Sequence, residues 1–155
     1  MNNPENDRIE KKILLSAPLS RVWRAISDAT EFGQWFRVRL EGAFHAGTTI
    51  LGQVTYPGYE HLALEMQVVE LVPERYFSYR WRPNAIDPQR DYSAEPMTLV
   101  EFTLSEAPGG EGTLLTIVES GFMRLPAERR AEAFRANDGG WSAQLQNIGR
   151  HVTQS

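Results

Sequence analysis

One acidic side chain, Glu119, falls on the apolar side of a predicted strand. The segment TLLTIVES alternates in polarity, and a regular strand places Glu119 on the same face as Leu115 and Ile117. A carboxylate held among apolar groups can serve as a general acid or base. Two alternatives remove this chemistry: a bulge beside Gly121 that turns the side chain outward, or an ion pair with an arginine. The arginines considered are Arg80 and Arg124.

The segment WSAQLQNIGRHV, near the end of the chain, is predicted to be a helix with one apolar face. Its apolar residues, spaced by four, three and four positions, are Trp141, Leu145, Ile148 and Val152. Uncharged polar residues border this stripe, namely Gln144, Asn147 and His151. Such groups can orient a ligand at the rim of a cavity. Alternatively, they bond to the backbone of neighbouring loops, which is the commoner fate of side-chain amides.

Metal, phosphate and nucleophile motifs do not emerge from the sequence. The histidines, His45, His61 and His151, lack the spacing of a metal site and would have to converge by folding. The sequence has no cysteine, which excludes thiol catalysis and disulfides. The glycine-rich pieces lack the context of a phosphate-binding loop, and no GxSxG motif is present. We therefore expect no metal, no cofactor and no assigned catalytic residue.

Composition is typical of one soluble globular domain. The chain has 155 residues, with 41% hydrophobic and 23% charged residues and a formal net charge of −4. Its only lysines are Lys11 and Lys12, and its arginines are scattered, so neither nucleic acid nor a membrane surface is an expected partner. The first residues form no apolar secretory core. We expect a cytoplasmic protein with a flexible tail over residues 1–7 and a single domain over residues 8–153.

The elements that would position these groups begin with a strand at 8–15. Ser16 is the expected N-cap of a helix that has Pro18 in its first turn, and Asp28 is the expected N-cap of a second, short helix. From Val38 the pattern alternates as in strands, and connectors such as YPGYE and SEAPGGEG punctuate it. The segment LPAERRAEAF opens the final helical region. This order predicts an α+β fold with helices on one face of an antiparallel sheet.

One long segment, residues 82–96, carries three prolines and no periodicity. Its length is near the upper limit for an unstructured loop in a compact domain. Two interpretations remain open: a lid over a binding site, or a well-packed surface loop.

Several segments together resemble the Hsp90-ATPase-activator-like family of the START-like (helix-grip) superfamily. RVWRAISDATEFGQWF is similar to that family's helical hairpin, and MQVVELVPERYFSYRW to its strand, turn and aromatic strand. GTLLTIVESGF and GGWSAQLQNIGRHV are similar to its last strand and its gripping helix. The matches run in order from Ile9 to Val152. The resemblance implies a curved antiparallel sheet wrapped around a long C-terminal helix, with a cavity between them.

Large side chains are the candidates for lining that cavity, and each of them also suits an ordinary core position. The predicted cavity-lining residues are Trp23, Trp35, Phe36, Met66, Phe77, Tyr79, Trp81, Phe102, Ile117, Glu119, Trp141, Gln144, Leu145 and Ile148.

Three functions follow from this interpretation. The first is a binding protein for a hydrophobic small molecule held between sheet and helix. The second is an enzyme of the aromatase or cyclase type, which would draw on Glu119, Tyr79 and His151. The third, implied by the resemblance alone, is a stress-related partner that activates the ATPase of the chaperone Hsp90, although the additional domain of the eukaryotic activator has no counterpart in these residues. We expect a monomer or a weak dimer.

Overall fold

A single antiparallel sheet dominates the computed structural model, which describes residues 7–154. Of the predicted tail, residues 1–6 lie outside the described residues, and the Asp7 carbonyl accepts a bond from the backbone N–H of Gly121 at 3.1 Å. Within the described residues the sheet has seven strands in the order β1-β7-β6-β5-β4-β3-β2. The strands are β1 Arg8–Leu15, β2 Val38–Glu41, β3 Thr49–Val54, β4 Ala63–Val72, β5 Tyr76–Trp81, β6 Thr98–Glu106 and β7 Thr113–Ser120.

Within the described residues, three α-helices and one short 3₁₀ helix, Phe122–Arg124, complete the fold, and the α-helices are α1 Leu19–Ser27, α2 Ala29–Phe36 and α3 Ala127–Thr153. The sheet is curved, and the long C-terminal helix packs against its concave side. The two short helices, α1 and α2, follow the first strand in the chain. The predicted α+β helix-grip fold is confirmed. Within residues 7–154, no helix has the length and apolar character that a bilayer crossing requires.

The two helix starts differ in how well the sequence predicts them. Asp28 is the N-cap of α2, as expected, and its Oδ1 accepts from the backbone N–H of Thr30 at 2.9 Å and of Glu31 at 3.1 Å. Ser16 is not the N-cap of α1, so that expectation is wrong. Pro18 occupies the cap position, where its side chain has no hydrogen-bonding group and its carbonyl accepts from the backbone N–H groups of Arg21 at 3.0 Å and Val22 at 3.1 Å.

The turn from α2 into β2 depends on close backbone packing. A Cβ atom at Gly33 would lie 2.2 Å from the carbonyl oxygen of Val38, so only glycine fits there. Arg37 then ends the helix in the left-handed region, with φ of 69°. Trp35 fixes α2 against α1, because its Nε1–H donates to the Ala25 carbonyl at 2.8 Å.

The inward face of the three neighbouring strands β5, β6 and β7 alternates as predicted. Every second residue is buried against the helices, and the polar Glu119 is among them. These residues are Phe77, Tyr79 and Trp81 of β5, Val100, Phe102 and Leu104 of β6, and Leu115, Ile117 and Glu119 of β7.

Helix α3 buries its predicted apolar stripe and continues much further towards the N-terminus. Gly139 and Gly140 lie inside it without a break, although each glycine costs about 1 kcal/mol relative to alanine in a helix. Packing of the buried face against the sheet outweighs this cost. The predicted stripe residues, Trp141, Leu145, Ile148 and Val152, are all buried.

Candidate functional site

Glu119 is fully buried and accepts hydrogen bonds from four side chains. Its Oε2 accepts from Trp81 Nε1–H at 2.8 Å and from Thr98 Oγ1–H at 2.5 Å. Its Oε1 accepts from Trp141 Nε1–H at 2.8 Å and from Asn137 Nδ2–H at 2.9 Å, and the same Nδ2 lies 3.1 Å from Oε2. We call these five residues the Glu119 network.

Sheet register and helix periodicity bring the network together. Glu119 is paired with Val100 of β6. Thr98 lies two residues before Val100 on the same strand and is paired with Trp81 of β5. Asn137 and Trp141 are four residues apart on α3, so they lie on the same face of that helix. Two strands and one helix therefore direct their donors at the inward-facing carboxylate of a third strand.

The bulge and the arginine ion pair, the two alternatives considered for Glu119, are both wrong. The pairing of β7 with β1 and β6 is uninterrupted through Ser120, so no bulge turns the side chain outward. Arg124 donates instead to the Met97 carbonyl at 2.9 Å, and Arg80 is exposed on the outer face of β5. The partners of Glu119 are thus neutral N–H and O–H groups.

The network satisfies Glu119 completely. A carboxylate has about four lone-pair positions, and four donors occupy them here. Burying a carboxylate without such bonds would be very costly. Because no lone pair remains free and the group is shielded from solvent, the geometry suits a fixed structural acceptor better than a general base.

A small aromatic pocket lies directly beside the network. It has a volume of about 120 Å³ and is lined by Phe36, Trp81, Asn137, Gly140, Trp141 and Gln144. The rings of Trp81 and Trp141 stack with centroids 5.7 Å apart, and the Phe36 ring lies 5.7 Å from the first and 6.2 Å from the second. We call this space the inner pocket.

A larger groove adjoins the inner pocket. It has a volume of about 600 Å³ and shares Phe36, Trp81 and Asn137 with it. Residues of β3, β4, the 82–96 loop and α3 form its remaining walls. The inner pocket and the groove are therefore neighbouring spaces that share part of their walls.

Residues 16–153 match the model of one protein family, described as the Activator of Hsp90 ATPase homolog 1-like protein family. The chain belongs to this family. The match spans most of the sequence and contains every residue of the Glu119 network. A comparison with curated protein sequences finds no match.

Solved structures of similar fold cover nearly the whole chain. Protein MLL2253 from Mesorhizobium loti superimposes with a TM-score of 0.74 and 21% identity, over 96% of this chain and 98% of that one. The solution structure of the Aha1 dimer from Colwellia psychrerythraea gives 0.68 and 16%, over 94% and 95%. DynU16, a putative protein in the dynemicin biosynthetic locus, gives 0.71 and 22%, over 95% of this chain and 47% of that one. At these identities the likeness shows the fold alone.

The predicted cavity-lining residues of this family member divide into three groups. Phe36, Trp81, Trp141 and Gln144 line the inner pocket, and Glu119 lies behind its wall. Trp23 is half-buried on α1. The remaining residues are buried in the core, away from the inner-pocket lining: Trp35, Met66, Phe77, Tyr79, Phe102, Ile117, Leu145 and Ile148. A role for any of them in binding a ligand stays a prediction.

Two pocket residues, Asn137 and Gly140, do not appear among the sequence-predicted residues. Both precede Trp141, by four positions and by one, so helical spacing places them beside the apolar stripe once α3 is extended backwards. That spacing was the available signal. The two consecutive glycines obscured it, because they suggest that the helix begins after them.

The polar residues that flank the stripe bond mainly to one another and to neighbouring elements. Gln144 Nε2–H donates to the Phe36 carbonyl at 3.3 Å, and Asn147 Nδ2–H donates to Gln144 Oε1 at 3.0 Å. His151 Nε2 lies 2.9 Å from Glu31 Oε1. Burial raises the pKa of Glu31, but bonds from His151 and Arg21 outweigh it and lower the pKa below its usual range. Of the three, Gln144 alone lines the inner pocket.

The 82–96 loop is fastened to α3 by Arg129. This buried guanidinium donates to Glu95 Oε1 at 2.8 Å, to the Pro83 carbonyl at 2.9 Å and to the Asn84 carbonyl at 3.0 Å. Its carbon Cζ also lies 4.7 Å from the centre of the Tyr92 ring. The loop therefore forms a fixed wall of the groove in this conformation.

No metal site emerges from the described side chains. Within residues 7–154, no three histidine, aspartate or glutamate side chains cluster closely enough to hold an ion. The inner pocket is instead lined by three aromatic residues, and the amide side chains in its lining are those of Asn137 and Gln144.

Proposed function

We propose that this protein binds a small, largely apolar molecule, with a ring seated in the inner pocket and the rest of the ligand along the groove. The observation that carries the proposal is the geometry of Trp81, Trp141 and Phe36, which surround an open space. The rings pack against one another, with centroids 5.7–6.2 Å apart, and still leave this space open, whereas a core built only for stability leaves few voids larger than a water molecule.

The size and composition of the groove support the same proposal. Its volume of about 600 Å³ lies within the range of about 300–1,000 Å³ that is typical of small-molecule sites. Such sites combine mostly apolar walls with a few fixed polar groups. Here Phe36 and Trp81 line both the groove and the inner pocket, and the Glu119 network fixes the indole of Trp81 and, in the inner pocket, that of Trp141 through their N–H groups.

Two adjacent glycines offer a matched test. A Cβ atom added at Gly140 or at Gly139 would meet nothing within 4 Å, so neither position is closed to a substitution by its immediate neighbours. Gly140 lines the inner pocket and Gly139 does not. We expect Gly140→Leu to fill the pocket, while Gly139→Leu makes the same change in helix propensity and leaves the pocket open.

The experiment is a titration with naphthalene, followed by the indole N–H resonances of Trp81 and Trp141 and by thermal unfolding. The wild-type protein and Gly139→Leu should show saturable shifts, and Gly140→Leu should not. At a hundredfold excess over the Kd, the ligand should stabilise the wild-type protein by about 2.7 kcal/mol. Absence of saturable binding to the wild-type protein across naphthalene and a panel of similar apolar compounds would refute the proposal.

The Glu119 network argues against the enzymatic alternative. Catalysis by Glu119 would require a substrate to displace one of four donors from a carboxylate that is fully buried. Binding requires no such displacement. Measurable turnover of a ligand that is lost in Glu119→Gln, with binding retained, would reverse this preference.

Family membership supports a second candidate, a chaperone partner, because the family description names an activator of the Hsp90 ATPase. The test is the ATPase rate of purified Hsp90 with and without this protein. A stimulation that survives Gly140→Leu would show a surface function that is independent of the pocket. We also propose that the protein is a monomer or a weak dimer, which sedimentation analysis of the purified protein would test through its molecular mass.

A further inference from the structure

We infer that the site selects ligands whose ring carries a hydrogen-bond donor, such as a hydroxyl or N–H group, and that Asn137 Oδ1 is the atom that recognises it. This inference rests on the proposed function and adds to it the chemical class of the ligand. It follows from the way in which Glu119 fixes the orientation of one amide.

Glu119 determines which end of the Asn137 amide faces inward. The Asn137 Nδ2 atom lies 2.9 Å from Glu119 Oε1 and 3.1 Å from Oε2. With its lone pairs directed at donors, the carboxylate acts as an acceptor, so the amide must present its NH₂ group. The reverse orientation would set the amide oxygen against two carboxylate oxygens. Glu119 therefore fixes which end of the Asn137 amide carries the nitrogen and which carries the oxygen.

The consequence is an acceptor turned away from the carboxylate. Asn137 lines both the inner pocket and the groove, and its Oδ1 lies on the opposite branch of the planar amide from Nδ2. Within residues 7–154, no side-chain or backbone donor bonds to that oxygen. Because Asn137 lines both spaces, we infer that this oxygen is within reach of a ligand that occupies them.

The other amide of the pocket is already engaged. Gln144 Oε1 accepts from Asn147 at 3.0 Å, and Gln144 Nε2 donates to the Phe36 carbonyl at 3.3 Å. Among the side chains that line the inner pocket, Asn137 thus supplies the free carbonyl-type acceptor. Aromatic walls beside one fixed acceptor suit a phenol-like or indole-like ring better than a plain hydrocarbon.

A ligand series tests the inference on the unaltered protein. Naphthalene reports binding of the ring, naphthol adds a hydroxyl donor, and methoxynaphthalene keeps the oxygen but cannot donate. We expect the wild-type protein to bind naphthol about threefold to tenfold more tightly than methoxynaphthalene, the range expected for one net hydrogen bond. Equal affinities for naphthol and methoxynaphthalene would overturn the inference.

Asn137→Leu provides the second arm. This variant removes the acceptor, so the ratio of the two affinities should fall to about one while naphthalene still binds. Glu119 keeps its three other donors in this variant, and circular dichroism checks that it is folded. The control is Gln146→Leu, which removes an exposed amide of α3 outside the inner pocket and should preserve the ratio.

The two proposals fail in different ways. If the wild-type protein binds none of the three compounds, the proposed function fails and the selectivity has no basis. If it binds all three with equal affinity, the proposed binding function is supported and the recognition role of Asn137 is refuted. A preference for naphthol that persists in folded Asn137→Leu would assign the recognition to another atom and also overturn the inference.

Discussion

Two buried polar side chains, Glu119 and Tyr79, lie close together in the sheet and are treated in opposite ways. Glu119 stands opposite Val100, and Val100 stands opposite Tyr79, so the two occupy the same row of paired positions. Both are fully buried. Glu119 has four donors, whereas within residues 7–154 the Tyr79 hydroxyl has no partner.

The difference shows what organises this part of the interior. Burial, and to a lesser extent the neighbouring charge of Glu119, raises the pKa of Tyr79 well above its ordinary value, so the hydroxyl stays protonated. Its ring packs against Phe77 and Trp81, with centroids 5.6 Å and 5.2 Å away, and contributes as an apolar group. Glu119 contributes instead through its bonds, because it holds the indole of Trp81 on β5 and the indole of Trp141 on α3 beside the inner pocket.

Among the variants proposed here, Trp141→Ala should cause the largest loss in the free energy of unfolding. The ring is 2% exposed, and its N–H bonds to Glu119, so Trp141→Ala loses both packing and a donor. We expect a loss of about 3–5 kcal/mol in the free energy of unfolding, measured by urea denaturation. Trp23→Ala, at a half-buried ring on α1, should cost less. A loss below about 1 kcal/mol for Trp141→Ala would contradict a buried, bonded ring.

Glu119→Gln should give the next largest effect. The amide keeps the shape of the side chain but replaces one acceptor oxygen with a donor, so a neighbouring donor faces an N–H group and loses its partner. Leaving such a buried donor unsatisfied should cost about 2–3 kcal/mol. The control is Glu10→Gln, which removes a surface pair on β1 and should cost less than about 1 kcal/mol. Equal losses in both variants would show that the network adds no stability.

The sequence predicted the inward position of Glu119 because strand alternation is a local property. Successive side chains of a strand point to opposite faces because of the backbone geometry. Leu115, Ile117 and Glu119 could therefore be assigned to one face without knowledge of the fold. The resemblance to a known family supplied the order of the elements. Both predictions were confirmed by the sheet and by the long C-terminal helix.

The partners of Glu119 could not be predicted in the same way. Asn137 meets Glu119 only because α3 lies across the sheet at one particular axial position, and no local pattern encodes that position. Thr98 lies at the first residue of β6, where strand ends are hard to place. The expected N-cap at Ser16 was wrong because α1 begins at Leu19, so the cap position falls on Pro18, which has no side-chain acceptor.

Glu95 is a carboxylate that, unlike Glu119, is paired with cations, and acid should remove the stability that these pairs contribute. Burial raises the pKa of Glu95, but the bonds and charges of Arg129 and Arg90 outweigh it and hold the pKa below 4.5. A lowered folded-state pKa stabilises the fold above the unfolded value, and this stability is lost as the pH falls through the folded pKa. Glu95→Gln should therefore cost about 1–2 kcal/mol at neutral pH. The gap from the wild-type protein should close below a pH of about 4.5.

Denaturation curves at several pH values measure this effect. Glu128→Gln is the control, because Glu128 contacts Arg90 at 3.5 Å and its side chain is 68% exposed. That variant should differ little from the wild-type protein at any pH. If the deficit of Glu95→Gln were constant from neutral to acid pH, the pairing with Arg129 would not be its source.

Tyr79→Phe should have the smallest effect and the opposite sign. An unpartnered buried hydroxyl weakens the folded state, so its removal should leave the free energy of unfolding unchanged or raise it by up to about 1 kcal/mol. Tyr76→Phe, three residues earlier on the same strand, is the matched control. The Tyr76 hydroxyl donates to Glu101 Oε2 at 2.5 Å, and burial and Glu101 raise its pKa to about 12. Its loss should cost about 1 kcal/mol. A clear destabilisation by Tyr79→Phe would mean that this hydroxyl bonds to a partner in solution, and the contrast with Glu119 would disappear.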